Sequence, residues 1–266
     1  MNLFKHDLKS GLKSFIIWSV GIIVLIFMAT TEFTGYAATP QEELMKMLDK
    51  IPKAVMAVFG MSSMDISNLG GYYSILQFYI LICVIIFSIL LGGSAISRES
   101  QDKTYEFICT KPLSRTQILG YKLLAALVYL VLFSAVIYFG SLVSFLILSV
   151  ENTMGSNFIL FGLNNFFVGL LFFTLTLALC SVKKKMECGI KAANFVFFAT
   201  YIVSVLYDIV DWEKYIRIFT PFKYFLPEDM LDGKFHVFYL AVCVGLSILF
   251  LITTFINFNK KDLNFN

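Results

Sequence analysis

The chain is built from long apolar runs separated by short polar segments. Six runs are free of Lys, Arg and Pro: Phe15–Glu32, Tyr72–Ser97, Leu123–Val150, Phe158–Val182, Ala192–Val210 and Phe238–Asn257. A hydrocarbon core about 30 Å thick takes roughly 20 apolar residues per helix. In lipid, backbone polar groups must be satisfied within the segment, so each isolated run is a helix and not a strand. The pattern predicts an all-α polytopic membrane protein with six transmembrane helices in one domain covering residues 1–266.

The segments between the runs carry patterns of their own. In residues 1–14, Phe4, Leu8, Leu12 and Phe15 recur at helical spacing beside Lys5, Lys9 and Lys13. This is either an interfacial helix on the inner leaflet or a basic flank. Residues 34–71 hold a helix start at Thr39-Pro40, with Glu42 three residues after the cap. Leu44, Met47, Leu48, Ile51 and Val55 form an apolar stripe behind it, and Pro52 is expected to kink or end that helix. Such a helix either packs on the outer surface or gates a pathway. Residues 211–237 place Trp212, Tyr215, Ile216 and Phe219 at helical spacing, then break at Pro221 and Pro227. They read as short helices dipping into the outer leaflet or as an ordinary outer loop.

Charge sets the orientation. Fourteen of the 21 Lys and Arg fall on one side if the N-terminus is inside, and the run Lys183–Lys185 joins them. The positive-inside rule then puts both termini in the cytoplasm. The first run exceeds the length of a signal-peptide core and lacks a close A-x-A site, so it reads as a span. Composition agrees: 58% of residues are hydrophobic, against about 45–50% in soluble domains. The five cysteines form no C-x-x-C pair and none lies in a segment placed outside, so neither a disulfide framework nor a zinc site is expected.

Catalytic chemistry is hard to place. No phosphate-binding G-x-x-x-x-G-K-[ST] occurs; Gly233-Lys234 is followed by Phe235. Gly92-Gly93, with Ser88 and Ser97, reads as close helix packing. Asn164, Asn165 and Asn194 read as helix–helix hydrogen-bonding groups. The spans carry no deep ionisable residue of the kind that drives ion-coupled carriers; Glu32 and Asp208 sit at margins. No catalytic, metal or cofactor residue is assigned.

One polar stretch stands out. Residues 98–121 form a dense mixed-charge island between the second and third runs. Thr104 can cap a short helix that Pro112 stops, and Ser114-Arg-Thr-Gln117 is a capping box that launches the third run. The result is a short, rigidly bracketed helix, suited to transmitting force; a charged loop that merely keeps topology is the alternative.

Here the chain resembles the permeases of type-2 ABC transporters. The pattern Glu99, Thr104, Glu106, Pro112, Ser114-Arg115 and Lys122 is similar to the signature of that family's cytoplasmic loop. Lys103 stands where the family usually has glycine, and Cys109-Thr110 also departs from it. The resemblance covers essentially the whole chain and includes Pro221-Phe222 before the last span. It implies a multi-pass plasma-membrane protein of bacterial exporter type, with no ATP site of its own. Residues 98–121 would be a coupling helix seated in a separate ATP-binding subunit. Arg98, Glu99, Thr104, Glu106, Pro112, Ser114 and Arg115 would form that site, with Arg98, Glu99, Glu106 and Arg115 as contacts or internal braces. Two ATP-binding subunits supplying ATP and Mg, a second permease (identical or not) and the bilayer are the implied partners; nucleic acid is not. The implied function is ATP-driven export of an amphipathic compound, peptide antibiotic or lipid. Alternatives are a carrier without ATP and a membrane assembly or immunity protein.

Overall fold

The computed structural model describes residues 2–37, 50–61, 68–101, 114–148, 157–183, 186–210 and 214–260. Helices α1 (Asn2–Ala37), α2 (Lys53–Val58), α3 (Leu69–Gln101), α4 (Arg115–Ile147), α5 (Phe158–Val182), α6 (Met186–Val210), α7 (Pro227–Leu231) and α8 (Val237–Lys260) follow in order. Six of these (α1, α3, α4, α5, α6 and α8) are long and apolar enough to cross a membrane. Each predicted run coincides with one of these helices, and all but α5 extend beyond their runs. At 36, 33 and 33 residues, α1, α3 and α4 are about 50 Å long, well beyond an apolar core of about 30 Å.

Residues 2–14 do not form a separate helix; they run unbroken into the first span. The reason is a partner. A Cβ on Gly11 would lie 2.7 Å from the Tyr129 ring, so α1 lies hard against α4 there. Phe15 adds a ring contact to Tyr129 at 5.2 Å. A face that would otherwise rest on lipid is covered by protein.

The spans divide into inner and outer members of the bundle. Helices α3 and α5 are 61% and 67% buried over their most apolar stretch, whereas α1, α6 and α8 are each 17%. α5 packs against α3, α4, α6 and α8. Small residues allow these approaches. A Cβ on Gly92 would sit 2.8 Å from the Phe173 carbonyl oxygen, and one on Gly93 would sit 2.7 Å from the Ile190 side chain. The packing role read from Gly92-Gly93 is what the structure shows. Tyr73, Phe145, Phe158 and Phe161 pack together where α3 and α5 begin and α4 ends, with Tyr73 edge-on to Phe145 and Phe161.

Polar side chains pin the helices in register. Gln77 on α3 donates to Asn165 on α5 at 2.6 Å, and both are buried. Tyr73 bonds Ser141 at 3.2 Å, and Thr30 bonds Ser144 at 2.9 Å, which ties α1 and α3 to α4. Interhelical bonds of this kind contribute about 0.6–2 kcal/mol in membranes. Replacing Gln77 alone by leucine strands the Asn165 amide. We therefore expect Gln77→Leu and Asn165→Leu each to lower the melting temperature in detergent, and the double variant to lose less than their sum. Strict additivity in that double-mutant cycle would remove the pair from the register argument.

We call the side where α1 begins and α8 ends the terminal face, and its opposite the distal face. The helix expected to start at Thr39 lies, up to residue 49, outside the described residues. Whether Pro52 ends that helix therefore also lies outside the described residues; Pro52 itself, at φ −58°, directly precedes a helix, α2. Tyr201 and Tyr79 hold the end of α2 by donating to the Val58 and Phe59 carbonyls at 2.9 and 3.1 Å. Gly60, at φ +71°, lets the chain turn directly over Phe78.

The segment before α8 dips into the bundle. It forms 3-10 turns at Lys214–Phe219 and Pro221–Lys223, then α7. Thr220 donates to the Thr200 carbonyl at 3.2 Å, which lies about 15 Å back from the end of α6. Phe222 is wedged 6.0 Å from Phe78, Phe197 and Tyr201. Irregular backbone at such depth is stable only when protein covers it. Phe222, Tyr224, Phe225 and Met230 are all buried.

Candidate functional site

The described ends of the polar island, residues 98–101 and 114–121, lie on the terminal face, where α3 ends and α4 begins. α3 continues through Gln101, so Arg98 and Glu99 occupy its last turn, though their side chains lie outside the described residues. Thr104, Glu106 and Pro112 also lie outside them. Ser114 and Arg115 open the next element. Ser114, in extended backbone, caps α4: its hydroxyl accepts from the Gln117 amide at 3.2 Å, and Gln117 accepts from the Ser114 amide at 3.0 Å. The capping box read from the sequence is present. Arg115 is exposed in the first turn. The bracketing of the island by two long helices is thus seen directly.

The sequence reading matched Lys122 to the motif but gave it no place in the site. It lies on the second turn of α4 and is buried, with 7% of its surface exposed. Its ammonium donates to the Ala95 carbonyl near the end of α3 at 3.0 Å. A cation near a helix C-terminus also complements the helix dipole. Beside it is a small cavity lined by Asp7, Gly11, Ser94, Ala95, Lys122 and Tyr129, among others. Three helices meet there: α1, α3 and α4. Tyr129 donates to the Leu8 carbonyl and fastens α1 to the same junction.

A second polar centre holds the distal segment. Arg217 is buried, donates to the Lys223 and Tyr224 carbonyls at 2.5 and 3.0 Å, and lies 3.6 Å from Asp229. Its guanidinium stacks over Tyr239 at 4.4 Å, and His236 bonds Asp229 at 2.8 Å. Lys223 pairs with Asp208 at 2.7 Å. Tyr224 donates to the Ile218 carbonyl at 2.7 Å. Burial first, then Cys243 and Tyr239, push its phenol up to about 12, so it is a donor throughout the physiological range. The sequence reading, which looked for charge inside the spans, missed both buried cations. Lys122 sits one residue outside its run, and Arg217 is brought in by a loop that folds back. Among the described residues, no three His, Cys, Asp or Glu side chains are placed to share a metal ion.

Six long apolar helices, two of them largely buried by the others, define the class: a multi-pass membrane protein. Residues 1–263 match the family model described as ABC-2 family transporter protein, and the chain belongs to that family. It is therefore a transporter's membrane subunit, embedded in the bilayer and working in an ABC transporter; it is not itself the ATPase. No curated protein matches it.

Proposed function

We propose that this chain forms the translocation pathway of an ATP-driven exporter and takes its power stroke through residues 98–121. The observation that carries this reading is the bracketing of that segment. On one side α3 runs to Gln101; on the other the Ser114 capping box starts α4, and Lys122 joins the two helices. A short segment held between two stiff helices passes displacement inward instead of absorbing it. ATP binding and hydrolysis belong to two copies of a separate subunit seated on this segment. A second permease, identical or different, completes the pathway. Charge bias puts this face in the cytoplasm, and an apolar, aromatic lining suits amphipathic cargo. The ATPase must favour one conformation of the permease over the other for any switch to occur.

Purification of the tagged chain from its native membranes in mild detergent tests this. A stoichiometric ATPase with vanadate-sensitive turnover is the expected result; membrane complexes without one would overturn it. Within such a complex, Arg115→Glu and Glu106→Lys should leave insertion and yield unchanged but lower ATPase retention. Exposed ion pairs contribute only about 0–1 kcal/mol to folding, whereas a reversed charge at an interface meets its former partner head-on. Undiminished retention in both variants would remove these residues from the contact.

A further inference from the structure

We infer that Lys122 is a positioning residue that makes the first turns of α1 a third arm of the coupling element. The inference rests on the coupling role proposed for residues 98–121. A two-arm element would need only the ends of α3 and α4. The structure adds α1 in two ways, through a shared cavity and through Tyr129. Asp7 and Gly11 wall the cavity beside the Lys122 ammonium. Tyr129, two turns along the same helix, donates to the Leu8 carbonyl. The ring of Tyr129 fills the space where Gly11 has no side chain.

Lys122 is the centre of this junction for physical reasons. Its bond to the Ala95 carbonyl is charge-assisted and therefore strong. A buried ammonium tolerates its position only if its remaining donors meet polar groups. The cavity supplies Asp7 and Ser94 and measures about 30 Å³, room for about two water molecules. A pocket with room for water around a cation with rotatable donors lets three helices shift together while the bonds are kept. An apolar contact at the same place would give only adhesion, with no direction. Displacement of the segment after Gln101 is thereby delivered to α1 as well as to α3 and α4. This also accounts for the unbroken helix from Asn2: a jointed N-terminal segment would absorb the stroke.

The test uses the complete complex in lipid nanodiscs, followed by amide hydrogen exchange with and without ATP and vanadate. In the native complex, trapping should change exchange over residues 2–14 together with the ends of α3 and α4. Lys122→Arg, which keeps a cation, should retain that response. Lys122→Met should retain the bound ATPase but cut the response over residues 2–14 by about tenfold, the scale of one charge-assisted hydrogen bond. Tyr129→Phe, which removes only a hydroxyl, should reduce it in the same region and serves if Lys122→Met does not accumulate. An α1 that stays silent in the native complex while α3 and α4 respond overturns the inference and leaves the coupling role standing. A full response in Lys122→Met or Tyr129→Phe overturns it equally. A complex without any ATPase removes the coupling role and this inference with it.

Discussion

We expect Gly189→Leu to abolish accumulation of the folded protein. Gly189 lies near the start of α6, where that helix turns back against the end of α5. A Cβ there would sit 2.5 Å from the Cys180 Cα and 2.6 Å from its amide nitrogen. These are backbone atoms, so no rotamer change relieves the contact; the two helices must separate. Separation would also open the packing of Gly93 on Ile190, one residue further along α6, and of Leu177 and Cys180 in the neighbouring cluster. Overpacking of a well-filled core ordinarily costs about 1–3 kcal/mol, and this contact belongs at or above the top of that range. Gly189→Ala should already lower the melting temperature in detergent. Gly245→Ala is the control, because a Cβ there meets nothing within 4 Å. That change should be neutral or stabilising by up to about 1 kcal/mol, through helix propensity alone. A monodisperse Gly189→Leu protein with an unchanged melting curve would show that α5 and α6 do not approach as described.

The second large effect is at Arg217. Arg217→Ala removes two hydrogen bonds to carbonyls, the partner of Asp229 and the cation over Tyr239. The Tyr224 and Lys223 carbonyls lose a charged donor, and a buried acceptor left unsatisfied costs about 1–3 kcal/mol; Asp229, a quarter exposed, keeps His236. The loss should be local. Residues 214–236 should become open to protease in detergent while the six long helices keep their helicity by circular dichroism. Arg217→Lys keeps the charge but not the planar fork that reaches two carbonyls and a carboxylate at once, so it should recover only part of the protection. Adding Asp229→Asn to Arg217→Ala should recover another part by removing a carboxylate that has lost its guanidinium partner and keeps only His236. Equal protease resistance in all four proteins would place the anchoring of this segment elsewhere, in Phe222 and its aromatic neighbours.

The sequence was informative where one local rule applied. Each span is a contiguous apolar run, and a run needs no knowledge of its neighbours to become a helix in lipid. Ser114 and Gln117 are three residues apart, so their capping box could be read directly and is found. Gly92 and Gly93 announced close packing, but not their partners, Phe173 and Ile190. The segment proposed to couple to the ATPase was legible as a motif between two spans, and Thr104, Glu106 and Pro112 lie outside the described residues. Lys122 was legible only as a motif match. Its burial depends on Ala95, which is 27 positions away.

By itself, then, the sequence determined the number of spans, their helical nature and the polar island between the second and third of them. Hydrophobicity and capping act over a single turn or a single run, and bilayer thickness converts run length into span number. The tertiary structure alone decided which spans are interior, that α1 runs unbroken from Asn2 against Tyr129, and that the distal segment folds back to Thr200. It alone decided that Lys122 and Arg217 are buried. The physical reason is common to all of these. A basic side chain or a glycine carries the same local preference on a lipid-facing surface as at a helix junction. Only the approach of a second element, distant in the chain, supplies the carbonyl, the carboxylate or the ring that makes it part of a site.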